Sequence, residues 1–486
     1  MNIVWTKERA VGIVMHISCL PGGQGIGCFD ESAYQFIDFL WEAGIKFWQV
    51  CPLTPTSYGD SPYQGLSSFA LNPYFIDLKA LGINNSLKNL ANDVQRVPFG
   101  EIYYFFQKLL PEIRNVFPKT ERQKLNHFRE HTPWLKSYAL FSALKKYFNE
   151  QSWIEWPQAY RYYETIDSTH LPQSVLDDME SYEILQYFAD NQWRKLKQYA
   201  TEKGIKIIGD IPMYPGYDSA DVWSEPKNFQ LDKNLKPLRI AGVPPDYFSE
   251  NGQLWGNPIY DWDFLESNHY DWWCRRIQRN RGLFDVLRLD HFRGFDNFWS
   301  VPSDALTAKN GKWEKGPGVK LFRSLENIPF IAEDLGELDD SVPQLMQQLH
   351  FPGMKVLQFA FSRDPKNIYL PHYHHPFSVL YLGTHDNDTL LGWYYSLDES
   401  IRDQIRCYFG IDDCETSWKF LTEVYRSPCF LSMICVQDLL GLGSEARFNT
   451  PGTQCGNWQW RMTTAQFSEL QNMAPQLKVY GLRYDR

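Results

Sequence analysis

The sequence of 486 residues predicts an α/β fold in which eight short strands alternate with helices. The prediction rests on apolar runs rich in β-branched and aromatic residues. They cover residues 11–17, 47–51, 206–211, 284–290, 328–333, 354–360, 378–384 and 431–436. Strands separated by helices form parallel sheets, and eight is the number that closes a (β/α)8 TIM barrel. An open doubly wound sheet is the alternative.

Helical periodicity occupies most of the gaps, as at 31–43, 181–203 and 340–349. The gaps are uneven, because roughly 150 residues separate the second and third strands and about 70 separate the third and fourth. A crossover helix needs far fewer residues than this. We therefore expect one barrel domain over 1–486 that carries inserted subdomains at about 58–200 and 213–283.

The composition excludes several classes of protein. The formal charge is −10 without a long basic run, which argues against a nucleic-acid partner. Nine cysteines without a CxxC pair indicate reduced thiols rather than a disulfide framework or a zinc site. No uninterrupted apolar stretch reaches 18 residues, and the N-terminus lacks a signal-peptide pattern. We expect a cytoplasmic protein with no membrane partner.

Ionisable residues gather where the predicted strands end, which is where chemistry is located in a barrel. Four of the eight strands end in carboxylates. The residues concerned are Asp210, Asp290, Glu333, Asp334, His385, Asp386 and Asp388. Helix caps are the structural alternative and suit Asp334 and Asp388 well. Caps do not explain Arg288 or His385, so the set as a whole indicates a catalytic site.

Side-chain alternation gives this site a geometry. Residues two apart on a strand share a face, so Arg288 and Asp290 point the same way while Leu287 and Leu289 point the other way. An arginine beside Asp290 would hold that carboxylate ionised and aimed, as a nucleophile requires. Glu333, in a less cationic setting, would stay protonated and donate a proton. Two carboxyl groups in opposed environments are what glycoside chemistry uses.

Metal and phosphate chemistry are the competing interpretations. His16 stands alone on the first strand, and the histidines of 372–375 lie in a polar loop that reads as a solvated turn. The glycine-rich 22–27 has neither the P-loop lysine nor the dinucleotide spacing, so a tight turn is its expected role. Neither pattern is a signature of a metal or phosphate site, and both interpretations stay open as competitors at this point.

Three further stretches are candidates for the site. Residues 57–65 offer Ser61, Tyr63 and Gln64. Residues 243–258 read as a long loop whose Tyr247, Phe248 and Trp255 would be costly to expose unless they cover something. Residues 437–453 could close the far side of the site, although Arg447 could equally cap a helix.

Several motifs together resemble the amylomaltase (disproportionating enzyme) family of 4-α-glucanotransferases, a branch of the α-amylase clan. The matching stretches are FWQVCPLTPTSYGDSPYQ, GDIPMY, GVPPDYFSENGQLWGNPIYDW, FDVLRLDHFRGF, IAEDLG, MKVLQFAF, GTHDNDTLLGW and QDLLGLGSEARFNTPGT. They extend from near residue 12 to near 460, and no single one of them is specific. The region from about 80 to 200 does not match.

The resemblance implies a TIM barrel with inserted subdomains and assigns roles to nine residues. Asp290 matches the nucleophile, Glu333 the acid/base, and Asp386 a third carboxylate that stabilises the distorted sugar. The implied substrate-binding residues are Ser61, Tyr63, Asp210, Trp255, Arg288 and His385. Among these, Trp255 resembles part of a flexible lid. The sequence departs from the family at Cys28 and Cys51, both in scaffold positions.

The implied reaction passes part of an α-1,4-glucan to the 4-hydroxyl of an acceptor glucan or glucose, through a covalent glycosyl-aspartate. The expected partners are maltooligosaccharides, glycogen or starch, and the resemblance implies no metal and no cofactor. Retention of the anomeric configuration requires the carboxyl groups of Asp290 and Glu333 to lie about 5–5.5 Å apart. An α-1,4-glucan hydrolase of the same clan is the alternative. A metal-dependent barrel hydrolase and a non-catalytic glucan-binding protein are the hypotheses from other classes.

Overall fold

The computed structural model describes residues 8–22, 24–83, 95–245, 249–323, 325, 327–336, 338–412, 416–453 and 455–486. Its strands are β1 (Ala10–Val14), β2 (Phe47–Gln49), β3 (Lys206–Ile211), β4 (Arg239–Val243), β5 (Gln253–Pro258), β6 (Val286–Leu289), β7 (Asn297–Pro302), β8 (Lys312–Lys315), β9 (Phe330–Ala332), β10 (Gly353–Val356), β11 (Ser378–Tyr381) and β12 (Leu431–Cys435).

Eight of these strands form one parallel sheet in the order β10-β11-β12-β1-β2-β3-β6-β9. Its two edges meet where the backbone N–H of Ala332 in β9 donates to the carbonyl of Pro352, just before β10, at 2.9 Å. The strands follow one another around the sheet in chain order, as in a (β/α)8 barrel. The predicted TIM barrel is confirmed, and each predicted strand overlaps one strand of the sheet.

The helices are α1 (Glu31–Glu42), α2 (Phe99–Val116), α3 (Arg122–Glu130), α4 (Leu135–Tyr147), α5 (Gln158–Arg161), α6 (Gln173–Glu202), α7 (Ala220–Ser224), α8 (Trp262–Ser267), α9 (Asp271–Leu283), α10 (Val319–Phe322), α11 (Ser341–Leu349), α12 (Leu390–Ser396), α13 (Glu399–Phe409), α14 (Thr416–Arg426), α15 (Val436–Leu439), α16 (Thr464–Asn472) and α17 (Ala474–Tyr484). Among the residues described, no helix is both long and apolar enough to cross a membrane.

Helix α1 shows why these segments are helical. Asp30 caps its first turn by accepting a hydrogen bond from the backbone N–H of Ser32 at 3.0 Å. Phe36, Ile37 and Leu40 recur at helical spacing and are all fully buried, so they place α1 against the barrel. The helix is predicted over 31–43 and ends at Glu42.

Two regions extend the barrel. Helices α2 to α5 lie between β2 and the long α6, which leads back into β3. A separate antiparallel sheet has the order β5-β4-β7-β8. Two of its strands precede β6 and two follow it, so this sheet is not built from the segment between β3 and β6 alone. The proposed boundaries at about 58–200 and 213–283 stay predictions.

The prediction of a continuous loop over 243–258 is wrong, because residues 253–258 form strand β5. This strand pairs with β4 in antiparallel register, with Gly242 opposite Leu254. QLWGNP contains no β-branched residue and three residue types that are depleted from strands, Gly, Asn and Pro, so Trp255 is its only strand-favouring residue. Hydrogen bonding to β4 instead stabilises this segment as a strand. Gly252, with a φ of +65°, makes the turn before β5, and Tyr247 and Phe248 lie outside the described residues.

Candidate active site

Arg288 lies at the centre of the charged strand ends. Parallel pairing of β3 with β6 places Arg288 directly opposite Asp210. The Nη1 atom of Arg288 donates to both carboxylate oxygens of Asp210, at 2.8 and 2.7 Å, and to Oδ1 of Asp290 at 2.9 Å. Arg288 and Asp210 are both 3% exposed. A buried charge is tolerated when it is paired, and here one guanidinium joins two carboxylates.

Asp290 stands at the open edge of this cluster. Its side chain is 27% exposed, in contrast to its buried partners. Arg288 holds Oδ1, and no described residue hydrogen-bonds Oδ2. The next residue, His291, adopts left-handed dihedral angles (φ 48°, ψ 52°), which turn the chain away as soon as the strand ends. Asp290 is therefore fixed at one oxygen and available at the other.

Glu333 lies at the end of the adjacent strand, β9. Its two carboxyl oxygens accept hydrogen bonds from the backbone N–H groups of His291, at 2.7 Å, and Leu335, at 2.8 Å. These donors favour the ionised form, yet burial and the negative charge of Asp290 outweigh them. Together they raise the pKa of Glu333 to about 7. Near neutral pH a large fraction of Glu333 therefore carries a proton.

Asp386 lies beyond β11 and has a different environment. Its Oδ1 atom accepts a hydrogen bond from Nδ2 of Asn449 at 2.6 Å, and its Oδ2 atom lies 3.4 Å from Nε2 of His385. Burial acts against the charge, but His385 and Asn449 prevail and lower the pKa of Asp386. Arg447 fixes the backbone by donating to the carbonyl of Asp386 at 2.6 Å. The Asp386 side chain remains 46% exposed and ionised.

His385 joins the two halves of the site. Its own burial disfavours the charged form, but the Asp386 carboxylate raises the pKa of His385. On the other side of the ring, Nδ1 lies 3.3 Å from the hydroxyl of Tyr63. That hydroxyl donates to Oδ2 of Asp210 at 2.7 Å. Polar contacts thus run from Asp386 through His385, Tyr63 and Asp210 to Arg288.

Tyr63 is held in place by its neighbours. Its ring stacks on His385 with centroids 4.8 Å apart and an interplanar angle of 21°. Trp458 lies against both rings, at 5.5 Å from Tyr63 and 5.7 Å from His385. Ser61, predicted to bind substrate, accepts a hydrogen bond from the backbone N–H of Tyr63 at 3.2 Å. Ser61 therefore supports the turn that presents Tyr63.

Trp255, on strand β5, lies beside the cluster rather than inside it. Its ring contacts His291 edge to face at 4.7 Å, and its carbonyl accepts a hydrogen bond from Nε2 of Gln64 at 3.3 Å. His291 directly follows Asp290 in the sequence, so the Trp255 ring packs on the neighbour of Asp290. The antiparallel sheet thus brings an aromatic surface to the open side of the barrel.

The competing metal and phosphate interpretations find no support at the strand ends. Burial lowers the pKa of His16 to about 3, and its ring packs edge to face on Phe75. Nε2 of His374 hydrogen-bonds the backbone carbonyl of Tyr369 at 2.9 Å. A side chain at Gly27 would meet the carbonyl of Ile17 at 1.9 Å, so this glycine-rich segment is a tight turn. No metal-ligand cluster lies at the strand ends of the described part of the chain.

The two unusual cysteines, Cys28 and Cys51, are both buried. Burial raises the pKa of each thiol well above its usual value, and nearby carboxylates add to the effect. Cys28 accepts a hydrogen bond from Nε2 of Gln24 at 3.1 Å. Both thiols are therefore neutral scaffold groups.

Three residues of the cluster were missed or left open by the sequence prediction. Asn449 and Trp458 contact the predicted residues directly, and Arg447 was left between two roles. All three come from the segment after β12. Their only signal was the position of that segment after the last barrel strand, which does not identify individual side chains.

The barrel and its carboxyl groups define an enzyme of glycoside chemistry, with one carboxyl group aimed by arginine and another with its pKa near neutrality. The sequence profile of the 4-alpha-glucanotransferase family (glycoside hydrolase family 77) matches residues 15–466. The chain belongs to this family and is a transferase that acts on alpha-glucans.

Comparison with individual relatives supports the same family assignment. The 4-alpha-glucanotransferase of Clostridium butyricum is 44% identical over 96% of this chain and 99% of its own length. That of Thermus thermophilus is 41% identical over 95% of this chain and 96% of its own length. Among solved structures, the amylomaltase from Streptococcus agalactiae in complex with acarbose has a TM-score of 0.94 and 37% identity, covering 99% of this chain and all of that one.

Proposed function

We propose that the protein transfers segments of α-1,4-glucans to the 4-hydroxyl of an acceptor glucan or glucose by a retaining double displacement on Asp290. The observation that carries this proposal is the contrast between two neighbouring strand ends. Asp290 is held at one oxygen by Arg288 and has the other available, while the pKa of Glu333 is raised to about 7. This is the division of labour between a nucleophile and an acid/base.

In the first half-reaction, Oδ2 of Asp290 attacks the anomeric carbon of the donor. The bond to the leaving 4-oxygen breaks, and Glu333 transfers its proton to that oxygen. In the second half-reaction, ionised Glu333 removes the proton from the acceptor 4-hydroxyl, whose oxygen displaces Asp290 from the anomeric carbon. Two inversions retain the configuration, and Glu333 regains its proton.

The remaining groups act on the sugar or on the two carboxylates. We assign Asp386 to the hydroxyls of the reacting sugar, because it is ionised and 46% exposed. His385 and Tyr63 present polar edges beside it, and Tyr63 offers a ring face for the sugar at the donor subsite. Asp210 and Arg288 are buried, and we assign them to fixing Asp290 and Tyr63.

The proposed substrates are maltooligosaccharides and longer storage glucans such as glycogen or starch, with no nucleic-acid or membrane partner. We further propose that the protein works in the cytoplasm, since its described cysteines are all free thiols.

Incubation with maltotriose tests the function against the hydrolase alternative, which would use the same carboxyl groups. A transferase yields glucose together with maltodextrins longer than the substrate. Maltose and glucose without longer products would identify a hydrolase and overturn the proposal.

Replacement of Trp255 by Ala is expected to raise the ratio of hydrolysis to transfer about two- to tenfold, the usual energetic range for one aromatic contact. The ring contacts His291 edge to face at 4.7 Å, beside the proposed ester on Asp290, and we propose that it shields this ester from water. Bond cleavage should continue, because the carboxyl groups remain. Maltotriose turnover, with free glucose counted beside lengthened chains, measures the ratio. Trp41→Ala is the control, because Trp41 lies on the exposed side of α1. An equal ratio in all three proteins would contradict the assignment of Trp255.

Replacement of Asn449 by Ala is expected to lower kcat/KM about 10- to 100-fold, the range for losing one hydrogen bond to a charged group. The change leaves Oδ1 of Asp386 without its donor at 2.6 Å. Steady-state kinetics on maltotriose measure the effect, and Asn472→Ala, at the exposed end of α16, is the control. A wild-type kcat/KM in Asn449→Ala would show that this contact does not orient Asp386.

A further inference from the structure

Helix α3 ends in a cluster of potential metal ligands formed by His127, Glu130 and His131. One ligand atom from each of these side chains lies within 4.8 Å of the others, and all three side chains are exposed. Spacing of three and four residues places them on one face of the helix. We propose that this cluster binds a divalent first-row transition-metal cation, with Zn²⁺ as its best fit. The proposal is independent of the glucan chemistry.

The two imidazoles are already arranged as a pair. Their ring centroids are 4.0 Å apart. Nδ1 of His131 lies 2.8 Å from the backbone carbonyl of His127. Because a carbonyl can only accept, Nδ1 carries the proton in the neutral ring and Nε2 keeps its lone pair. Metal-binding histidines are commonly held in this way, through a hydrogen bond from the other ring nitrogen to a backbone carbonyl.

The charges around the cluster leave a place for a cation. Glu130 is exposed, and the neighbouring Arg129 pairs with Glu183 instead of with Glu130. The nearby Arg194 and Arg279 are both paired with Asp190. A cation between Glu130 and the two histidines would therefore meet one carboxylate and two imidazole nitrogens.

The site also has room beside it. His127 and His131 line a cavity of about 760 Å³, together with Trp134, Arg194 and Arg279. This cavity contains none of the strand-end carboxylates and is separate from the candidate active site. Three protein ligands leave coordination positions open for water or for a small ligand in the cavity.

The nitrogen and oxygen ligands of the cluster indicate which metal ions it prefers. Imidazole nitrogens suit Zn²⁺, Ni²⁺ and Cu²⁺, whereas Mg²⁺ and Ca²⁺ prefer sets made only of oxygen. We therefore expect Zn²⁺ to bind and Mg²⁺ not to compete with it.

The test is calorimetric titration of the full-length, chelator-treated protein with Zn²⁺. His131→Gln and His127→Gln should each weaken one binding event at least about tenfold, since even loss of an outer-shell partner costs 10- to 100-fold. His372→Gln is the matched control, because His372 is also an exposed histidine but lies outside the α3 cluster and contacts Tyr408. Circular dichroism confirms that the surface variants fold.

Cobalt provides a second readout. Co²⁺ bound by nitrogen and oxygen should give weak visible bands without the intense near-ultraviolet band of thiolate ligands. This distinguishes the α3 cluster from the exposed Cys407 and Cys455. Retention of wild-type Zn²⁺ affinity in both α3 variants, an equal loss in His372→Gln, or a thiolate spectrum would overturn the proposal.

Discussion

Asp290→Asn is expected to reduce glucan transfer by about 10⁴-fold or more, the usual cost of removing the nucleophile from a catalytic unit. An amide oxygen cannot form the glycosyl ester, so the first half-reaction loses its nucleophile. Folding should be preserved, because the side chains have the same shape and Arg288 keeps both contacts to Asp210. Glucan binding should change little, since Asp386, His385 and Tyr63 are untouched.

Transfer from maltotriose and binding of maltooligosaccharides measure the two halves of this expectation. Asp285→Asn is the matched control, because Asp285 lies just before the same strand, at the opposite end of the barrel. There it accepts a hydrogen bond from the backbone N–H of Ile207 at 2.8 Å. Chemistry in this fold is confined to the carboxyl ends of the strands, so the control should keep full activity.

The covalent intermediate gives a direct check. Wild-type protein treated with an activated fluorinated glucosyl fluoride should carry the sugar on the peptide that contains Asp290, as seen by mass spectrometry. A labelled peptide from another part of the chain would identify a different nucleophile. Asp290→Ala with added azide should recover turnover of a glucosyl fluoride and release a product of inverted configuration, because azide replaces only the first displacement.

The barrel was predictable because its strands are buried on both faces and therefore read as short apolar runs. Such runs depend on local sequence, and each of the eight overlaps an observed strand. Strand β5 was not predictable in this way. Leu254 and Trp255 are extended because β5 pairs with β4, and β4 pairs with β7 on its other side. Both pairings depend on tertiary contacts rather than on local sequence.

The grouping of Arg288 with Asp290 followed from alternation along one strand. Asp210 joined the prediction as another strand end, but its pairing with Arg288 depends on the register between β3 and β6. Asn449 and Trp458 show the limit of sequence reasoning. They lie on an irregular segment, where no periodicity indicates which side chains turn toward the site.

Glu333→Gln is expected to slow transfer from natural glucans about 10²- to 10⁴-fold, the range for loss of general acid/base catalysis. Glutamine has the same shape and can accept one of the two hydrogen bonds from the backbone N–H groups of His291 and Leu335, although its amide nitrogen cannot accept the other. The fold around the site should therefore persist, with a small local adjustment. A glucosyl fluoride needs no proton on its leaving group, and its first half-reaction should stay near the wild-type rate. Asp334→Asn is the control, because Asp334 is the neighbouring carboxylate but instead accepts from the backbone N–H of Met354 at 2.6 Å.

The dependence on pH separates this role from a structural one. The raised pKa of Glu333 keeps the acid protonated up to about pH 7, so kcat/KM on glucans should fall as pH rises through that value. The fall should be absent for the glucosyl fluoride and in Glu333→Gln. In that variant the ester on Asp290 should accumulate, because a sugar acceptor then lacks its base. Equal loss on both substrates, or an unchanged alkaline limb in the variant, would show that Glu333 is not the acid/base.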